Sequence, residues 1–101
     1  MTTYLTLFKH TTEAKENIED AEEWLETGME LSAEVGAAVT DVYFGNIGEY
    51  DALVVSEGHD ETDSERIRLA FERMGTHELE VYPIYEPGEY MELIAELPAT
   101  A

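Results

Sequence analysis

The residues best suited to acid–base chemistry are Tyr50 and Asp51, which follow the glycine-containing turn 45–48 in the stretch FGNIGEYDALVV. An adjacent phenol and carboxylate can donate and accept a proton, or bind a polar ligand, with His10 as a third participant. Because side chains alternate along a strand, we expect Asp51 to face the helices and Tyr50 the opposite side of the sheet. The alternative is structural: Asp51 accepts hydrogen bonds from backbone N–H groups and locks the hairpin.

The three histidines, His10, His59 and His77, are candidate metal ligands. Neutral imidazoles bind Zn²⁺, Ni²⁺ or Cu²⁺, and Asp60 or Glu61 can add an oxygen ligand. In the topology derived below, we expect all three histidines at the same rim of the sheet. Their wide spacing differs from that of zinc sites built on one helix, so three loop histidines on a polar surface are the alternative. No motif in the chain indicates a cofactor.

Cysteine and arginine usage narrows the chemistry further. The chain has no cysteine, which excludes disulfides, zinc–thiolate sites and a cysteine nucleophile. Three of the five cations, Arg66, Arg68 and Arg73, lie in one predicted helix among acids such as Glu65 and Glu72. This spacing favours salt bridges along the helix over binding of an anionic ligand.

Acidic residues dominate the composition. Asp and Glu number 24 against 5 Lys and Arg, for a formal net charge of −19. Nucleic acid and anionic membrane surfaces are poor partners, because phosphate binding needs a basic face. The acids are spread along the chain, as in proteins of extreme halophiles, whose carboxylates keep them soluble in molar salt. The longest aliphatic run, residues 52–55, is too short to span a bilayer. We therefore expect a halophilic, cytoplasmic protein.

Periodicity and turn residues predict a single domain, residues 1–101, built from four strands and three helices. The predicted strands are at 3–9, 37–44, 49–57 and 78–86. The first predicted helix runs from Thr11 or Thr12 to Gly36 and can break near Asp20. The second begins with a capping box at Thr62–Glu65 and ends at Gly75, and the last begins at Pro87.

The element order β-α-β-β-α-β plus a terminal helix predicts an α+β fold. The simplest closure with right-handed crossovers is a ferredoxin-like antiparallel sheet with an extra C-terminal helix. We expect strands 1 and 3 at the centre, running in the same direction, and strands 2 and 4 at the edges. Pro83 cannot donate to a strand ladder, which agrees with an edge position for strand 4.

Both faces of the predicted sheet are apolar. In a monomer whose helices cover one face of the sheet, the other face is expected to be polar. We assign to the helices a mostly aliphatic set, Leu5, Leu7, Val42, Leu53, Val55, Leu79 and Val81. This leaves open a set richer in aromatics, Tyr4, Phe8, Tyr43, Tyr50, Val54, Tyr82 and Ile84. We expect a homodimer or larger assembly that pairs these open faces, through Tyr4, Phe8, Tyr43, Tyr50 and Tyr82. The alternative is a monomer whose last helix covers the open face.

The stretch Gly48-Glu49-Tyr50-Asp51, followed by ALVVSE, resembles the Gly-x-Tyr-Asp signature of the GYD domain family. Gly48, Tyr50 and Asp51 occupy the motif positions. The start TYLTLFKHT, the AEVGAAV stretch, Gly75 before a strand and the end YPIYEPGEYMELI resemble further family features. The resemblance implies a ferredoxin-like fold of the dimeric α/β-barrel type that self-associates, with no biochemical activity assigned.

Two functions are compatible with these patterns. The first is a small self-associating binding or structural module, adapted to high salt. The second is a small-molecule enzyme or ligand-binding protein that uses a cavity beside the sheet near Tyr50 and Asp51; the resemblance implies this second function because dimeric α/β barrels commonly host such cavities. The residue patterns leave open whether the protein is an enzyme and which ligand it binds.

Overall fold

The computed structural model describes residues 2–99 and folds them into four strands and four α-helices. The elements are β1 (Thr3–His10), α1 (Thr12–Glu16), a short 3-10 helix (Ile18–Asp20), α2 (Ala21–Glu34), β2 (Ala38–Ile47), β3 (Tyr50–Glu57), α3 (Glu61–Met74), β4 (His77–Ile84) and α4 (Pro87–Ala95). The α+β class predicted from the sequence is confirmed. No helix within residues 2–99 has the length and apolar character needed to cross a membrane.

The strands form one open antiparallel sheet in the order β2-β3-β1-β4. β1 and β3 lie at the centre and β2 and β4 at the edges, as predicted. β1 and β3 pair antiparallel from Thr3–Glu57 to Phe8–Ala52, so the prediction that they run in the same direction is wrong. The crossover through α1 and α2 returns β2 in the direction of β1, and the β2–β3 hairpin then reverses the chain.

Polar side chains cap the N-termini of α1 and α3, and the cap of α3 differs from the predicted one. Thr11 caps α1, its Oγ1 accepting a hydrogen bond from a backbone N–H at 3.2 Å. α3 begins earlier than predicted, because Asp60 rather than Thr62 is its N-cap, with a 2.8 Å bond to a backbone N–H. The expected interruption of the first helix occurs at Ile18–Asp20, and Gly75 ends α3 with φ +79°.

The turn that precedes Tyr50 is tighter than predicted. β2 continues to Ile47, which pairs with Tyr50, so only Gly48 and Glu49 form the turn. Gly48 has φ +64°, a backbone conformation that side chains disfavour. Gly45 lies inside β2 instead. The glycine of the Gly-x-Tyr-Asp signature is therefore the residue that makes the two-residue hairpin possible.

The helices cover the face of the sheet that carries Tyr4 and Phe8. Tyr4 is buried and stacks on His59, with ring centroids 4.7 Å apart. Phe8 packs edge-on against Phe71 of α3 at 5.2 Å. Val54 pairs with the buried Thr6 and lines the same covered side. The prediction that Tyr4, Phe8 and Val54 belong to the open face is therefore wrong.

The open face carries the aliphatic residues that were expected under the helices. Strand register and alternation place on it Leu5, Leu7, Tyr43, Leu53, Val55, Tyr82 and Ile84. Of the set assigned to the helices, only Val42, Leu79 and Val81 are on the helix-covered side. The division by residue type fails because small residues, Thr6, Ala52 and Ser56, occupy the central strands beneath the helices, where aromatic rings from the helices need room.

The last helix projects from the body of the protein. α4 makes no extended packing with any other element in residues 2–99. Its apolar side chains Tyr90, Met91, Leu93 and Ile94 are 45–59% exposed. The radius of gyration, 15.6 Å, exceeds the roughly 13 Å of a compact chain of this length. The alternative in which the last helix covers the open face of its own chain is therefore wrong.

Candidate functional site

Asp51 lies at the point where the pairing of the central strands stops. The β1–β3 ladder ends at Phe8 and Ala52, and the backbone N–H of His10 then donates to Asp51 Oδ2 at 2.8 Å. The carboxylate thus replaces the next backbone acceptor of the ladder. His10 Nδ1 is 3.6 Å from the same oxygen, close enough for an ion pair when the imidazole is protonated. The structural interpretation holds in a changed form: the bond fastens β3 to β1 and not β3 to its hairpin partner β2.

The His10 ring also belongs to an aromatic cluster with Trp24 and His77. The His77 ring lies 5.1 Å from that of His10 and 5.0 Å from that of Trp24, with Phe71 also edge-on to it. Burial lowers the pKa of His77 to about 4, and the neighbouring His10 adds to the shift, while Asp51 opposes it. His77 is therefore a neutral imidazole at physiological pH, packed as an aromatic side chain.

His59 lies at the opposite end of the sheet from the other two histidines. It stacks on Tyr4, six positions along β1 from His10, which corresponds to roughly 20 Å along a strand. The prediction that three histidines meet at one rim is therefore wrong, and the antiparallel direction of β3 is the reason. His10 and His77 do come together, and residues 2–99 contain no group of three or more His, Cys, Asp or Glu side chains arranged to hold a metal ion.

Tyr50 belongs to a cluster on the open face. Its hydroxyl and that of Tyr82 both donate to Glu80 Oε2, the second at 2.6 Å. These bonds lower the pKa of Glu80 and raise the pKa of both tyrosines, because they favour the carboxylate and the neutral phenols. A raised pKa makes proton loss from Tyr50 harder. Tyr50 and Asp51 also bind partners on different strands, so the structure does not bring them to one reaction centre.

A cavity of about 70 Å³ lies between the sheet and helices α2 and α3. Its wall is mainly apolar, including Phe8, Trp24, Phe44, Ile67 and Phe71. A few polar residues, Thr6, Ser32, Ser56, His59, Ser64 and His77, also belong to the lining. Among the residues that the structure describes, the lining includes no Asp, Glu, Lys or Arg. Within residues 2–99, the lining includes none of Tyr50, Asp51 and His10. Apolar cavities with a few convergent polar groups are the usual form of small-molecule sites.

Two residues of this lining each carry a buried side-chain atom with no hydrogen-bond partner among the described residues: His59 Nδ1 and Ser64 Oγ. Both residues are more than nine-tenths buried. Sequence reasoning missed Trp24 and Ser64 as site residues. The signal that could have indicated the cavity was the pair of small polar residues, Thr6 and Ser56, at alternating positions of otherwise apolar strands.

Comparison with known proteins agrees with the resemblance seen in the sequence. A family model described as GYD domain matches residues 4–94, most of the chain. The match spans β1 to α4 and includes the Gly48 turn, Tyr50 and Asp51. No curated protein and no solved structure matches the chain.

Proposed function

The chain belongs to the GYD domain family, and from this premise we propose that it is a self-associating binding module of the ferredoxin-like, dimeric α/β-barrel type, adapted to high salt. The strand order β2-β3-β1-β4, with helices on one face, supports the ferredoxin-like assignment. Two copies join through the open faces of their sheets.

The observation that carries this proposal is the apolar open face. Leu5, Leu7, Leu53 and Val55 occupy its centre on β1 and β3, and the helices that pack on the sheet within residues 2–99 lie on its other face. Burying such a surface yields roughly 25 cal/mol per Å². Exposed apolar patches larger than a few hundred Å² are uncommon on monomers and mark interaction surfaces. A second copy supplies a matching apolar face.

The projecting helix α4 supports the same proposal. Its residues Tyr90, Met91, Leu93 and Ile94 form an exposed apolar surface continuous in sequence with edge strand β4. An isolated helix of nine residues gains little from propensity alone and depends on packing for stability. In the proposed dimer, α4 of each protomer packs against the other protomer.

The charge distribution supports adaptation to high salt. Each copy has a formal net charge of −19, so a dimer of two copies has a net charge of −38. In residues 2–99, the ion pairs made by arginine lie within α3, namely Arg66–Asp63, Arg68–Glu65 and Arg68–Glu72. Most acids therefore have no cation beside them, and dissolved salt must screen their repulsion.

A second function, a small-molecule enzyme or ligand-binding protein, is favoured by the cavity under α2. Tyr50 and Asp51, the candidates predicted near the turn, are less available to bind a ligand. Asp51 accepts a hydrogen bond from the backbone N–H of His10, and the Tyr50 hydroxyl donates one to Glu80. Ligand binding beneath the helices is compatible with self-association through the opposite face of the sheet.

Light scattering in molar KCl tests self-association. A monomer has a mass of 11.4 kDa, so the wild-type protein is expected at twice this mass or more. Leu53→Glu places a charge at the centre of the open face and is expected to give the monomer mass. Leu69→Glu is the matched control, because Leu69 lies on α3 and is 53% exposed. A wild-type protein that is monomeric, or an unchanged mass for Leu53→Glu, contradicts the proposal.

A further inference from the structure

The cavity beneath α2 is long. On α2 its lining residues lie on one side of the helix and extend from Ala21 to Ser32, which corresponds to roughly 16 Å at about 1.5 Å per residue. On the central strand β3 the lining residues extend from Ala52 to Ser56, which corresponds to roughly 13 Å. The cavity therefore follows the helix and the strand over several residues of each.

The two ends of the cavity are formed by different parts of the chain. Trp24 and His77 mark one end, with ring centroids 5.0 Å apart. Ser56 marks the other end, where it pairs with Val39 near the start of β2. His59 lies at that end as well, beyond the last residue of β3. A ligand that fills the cavity must therefore be elongated.

The cavity is also narrow. Its volume of about 70 Å³ corresponds to about five to seven water-sized positions at roughly 10–15 Å³ each. In single file, at about 2.8 Å per position, five to seven positions occupy roughly 14–20 Å. The lining extends over roughly 13–16 Å, so the space is about one atom wide. An unbranched chain fits a space of this shape, whereas a ring does not.

The helix α2 is held off the sheet, which keeps this space open. None of its 14 residues is buried. Leu25 and Met29 remain 39% and 45% exposed although both line the cavity, and Phe44 of the edge strand β2 lines it and is 58% exposed. α2 approaches α3 at Gly28, where an added Cβ would lie 3.0 Å from Cζ of Phe71. The exposed apolar residues Leu25, Met29 and Phe44 mark a mouth between α2 and β2 through which an apolar molecule can enter.

The charges disfavour an anionic ligand. Since the lining found in residues 2–99 has no Asp, Glu, Lys or Arg, an ionic group inside the cavity would have no counter-charge. At the mouth, the exposed acids Glu26 and Glu30 directly follow Leu25 and Met29 on α2. They repel a carboxylate or phosphate head group placed there. An uncharged head group in water at the mouth avoids both costs.

We propose that the cavity beneath α2 binds an unbranched aliphatic molecule with an uncharged head group, of the class of a primary alcohol. The chain lies along α2 and β3, and the head group stays in water at the mouth. At about 1.25 Å per carbon, which follows from the C–C bond length and angle, about ten carbons extend over roughly 13 Å. The site rests on the binding part of the proposed function and does not require self-association, since it lies on the helix-covered face.

Primary alcohols of increasing length, cyclooctanol and octanoate are the probes. Binding is measured in molar KCl by calorimetry and by the NMR shift of the indole N–H of Trp24, the single tryptophan, which lines the cavity. Each added CH₂ is expected to tighten binding about fourfold, so 1-octanol binds about fifteenfold more tightly than 1-hexanol. Cyclooctanol has the same carbon number and hydroxyl as 1-octanol but is too wide, and it is expected to bind at least about tenfold more weakly. Octanoate is expected to bind at least about threefold more weakly than 1-octanol, because salt screens the repulsion by Glu26 and Glu30 only in part.

Three alanine-to-leucine variants locate the chain in the protein. Ala52→Leu and Ala21→Leu add a side chain to the lining on β3 and on α2. Ala33→Leu is the matched control, because Ala33 is an exposed residue of α2 on the part of the helix away from the described lining. The two lining variants shorten the cavity and are expected to lose most of the fifteenfold gain from 1-hexanol to 1-octanol, whereas the control keeps it. Ala21 is not buried, so Ala21→Leu keeps the test decisive if Ala52→Leu does not fold.

The proposal is overturned if 1-octanol leaves the Trp24 resonance unmoved, or if cyclooctanol binds as tightly as 1-octanol. It is also overturned if the lining variants and Ala33→Leu show the same gain with chain length, and octanoate binding equal to 1-octanol refutes the uncharged head group. Light scattering on the same samples separates this site from self-association. A monomer that binds 1-octanol refutes self-association alone, and a dimer that binds none of the probes refutes the aliphatic site alone. A dimer that 1-octanol converts to monomers would mean that a second copy occupies the cavity, which also overturns the proposal.

Discussion

Removing the Asp51 carboxylate tests whether this residue holds together the end of the β1–β3 pairing. In Asp51→Ala, the backbone N–H of His10 loses the acceptor now 2.8 Å away. An unsatisfied donor costs about 1–3 kcal/mol when buried. Because the Asp51 side chain is 34% exposed, water reaches the site and the lower half of this range applies. At about 4–8 °C per kcal/mol for a domain of this size, a loss of about 1–2 kcal/mol is expected to lower the melting temperature by about 4–16 °C. Asp51→Asn retains an acceptor oxygen and is expected to lose less than half as much.

The assay is thermal unfolding followed by circular dichroism in molar KCl, with a control for charge. Removing any carboxylate from a chain of net charge −19 relieves repulsion, and this gain hides part of the loss. Asp20→Ala and Asp20→Asn provide the correction, because Asp20 is exposed and its side chain makes no capping bond to α2. If Asp51→Ala and Asp20→Ala melt at the same temperature, the carboxylate of Asp51 has no structural role and the ladder interpretation is refuted.

Two further predictions concern pH and salt. The pKa of His77 falls to about 4 in the folded protein from an ordinary value of 6.5, so the unfolded chain binds the extra proton between these pH values. Stability contributed by the neutral ring is therefore complete above pH 6.5 and is lost as the pH falls to 4, by at most about 3 kcal/mol. Urea unfolding at pH 4–7 of wild type and His77→Phe checks this, and equal pH dependence of the two proteins contradicts it. In the salt series, the melting temperature is expected to rise from dilute buffer to molar KCl, because the screening length drops from about 10 Å at 0.1 M to about 3 Å at 1 M; calorimetry that shows no change contradicts adaptation to high salt.

Local signals in the sequence were sufficient to predict most elements and the places where the chain turns. Pro87 begins α4, Gly75 ends α3 with φ +79°, and Pro83 lies on the edge strand β4. Each of these outcomes depends on the backbone geometry of one residue and its immediate neighbours. The family was identifiable for the same reason, since the Gly48 turn with Tyr50 and Asp51 is a contiguous motif.

The sidedness of the sheet could not be predicted in the same way. Alternate residues of β1 and β3 form two apolar sets, and local pattern does not say which set the helices cover. The helix-covered set includes Tyr4, Thr6 and Phe8, because Phe71 and His59 pack against it from distant parts of the chain. The position of His59 likewise depended on the direction of β3, which follows from the path of the crossover.

The sequence by itself determined the element types, the acidic character, the family and the hairpin motif, since these depend on composition or on neighbours along the chain. Only the tertiary structure decided which face is open, which histidines meet and that a cavity lies beneath α2. Those features arise from contacts between residues far apart in sequence, such as the approach of Gly28 to Phe71, and depend on how whole elements are placed.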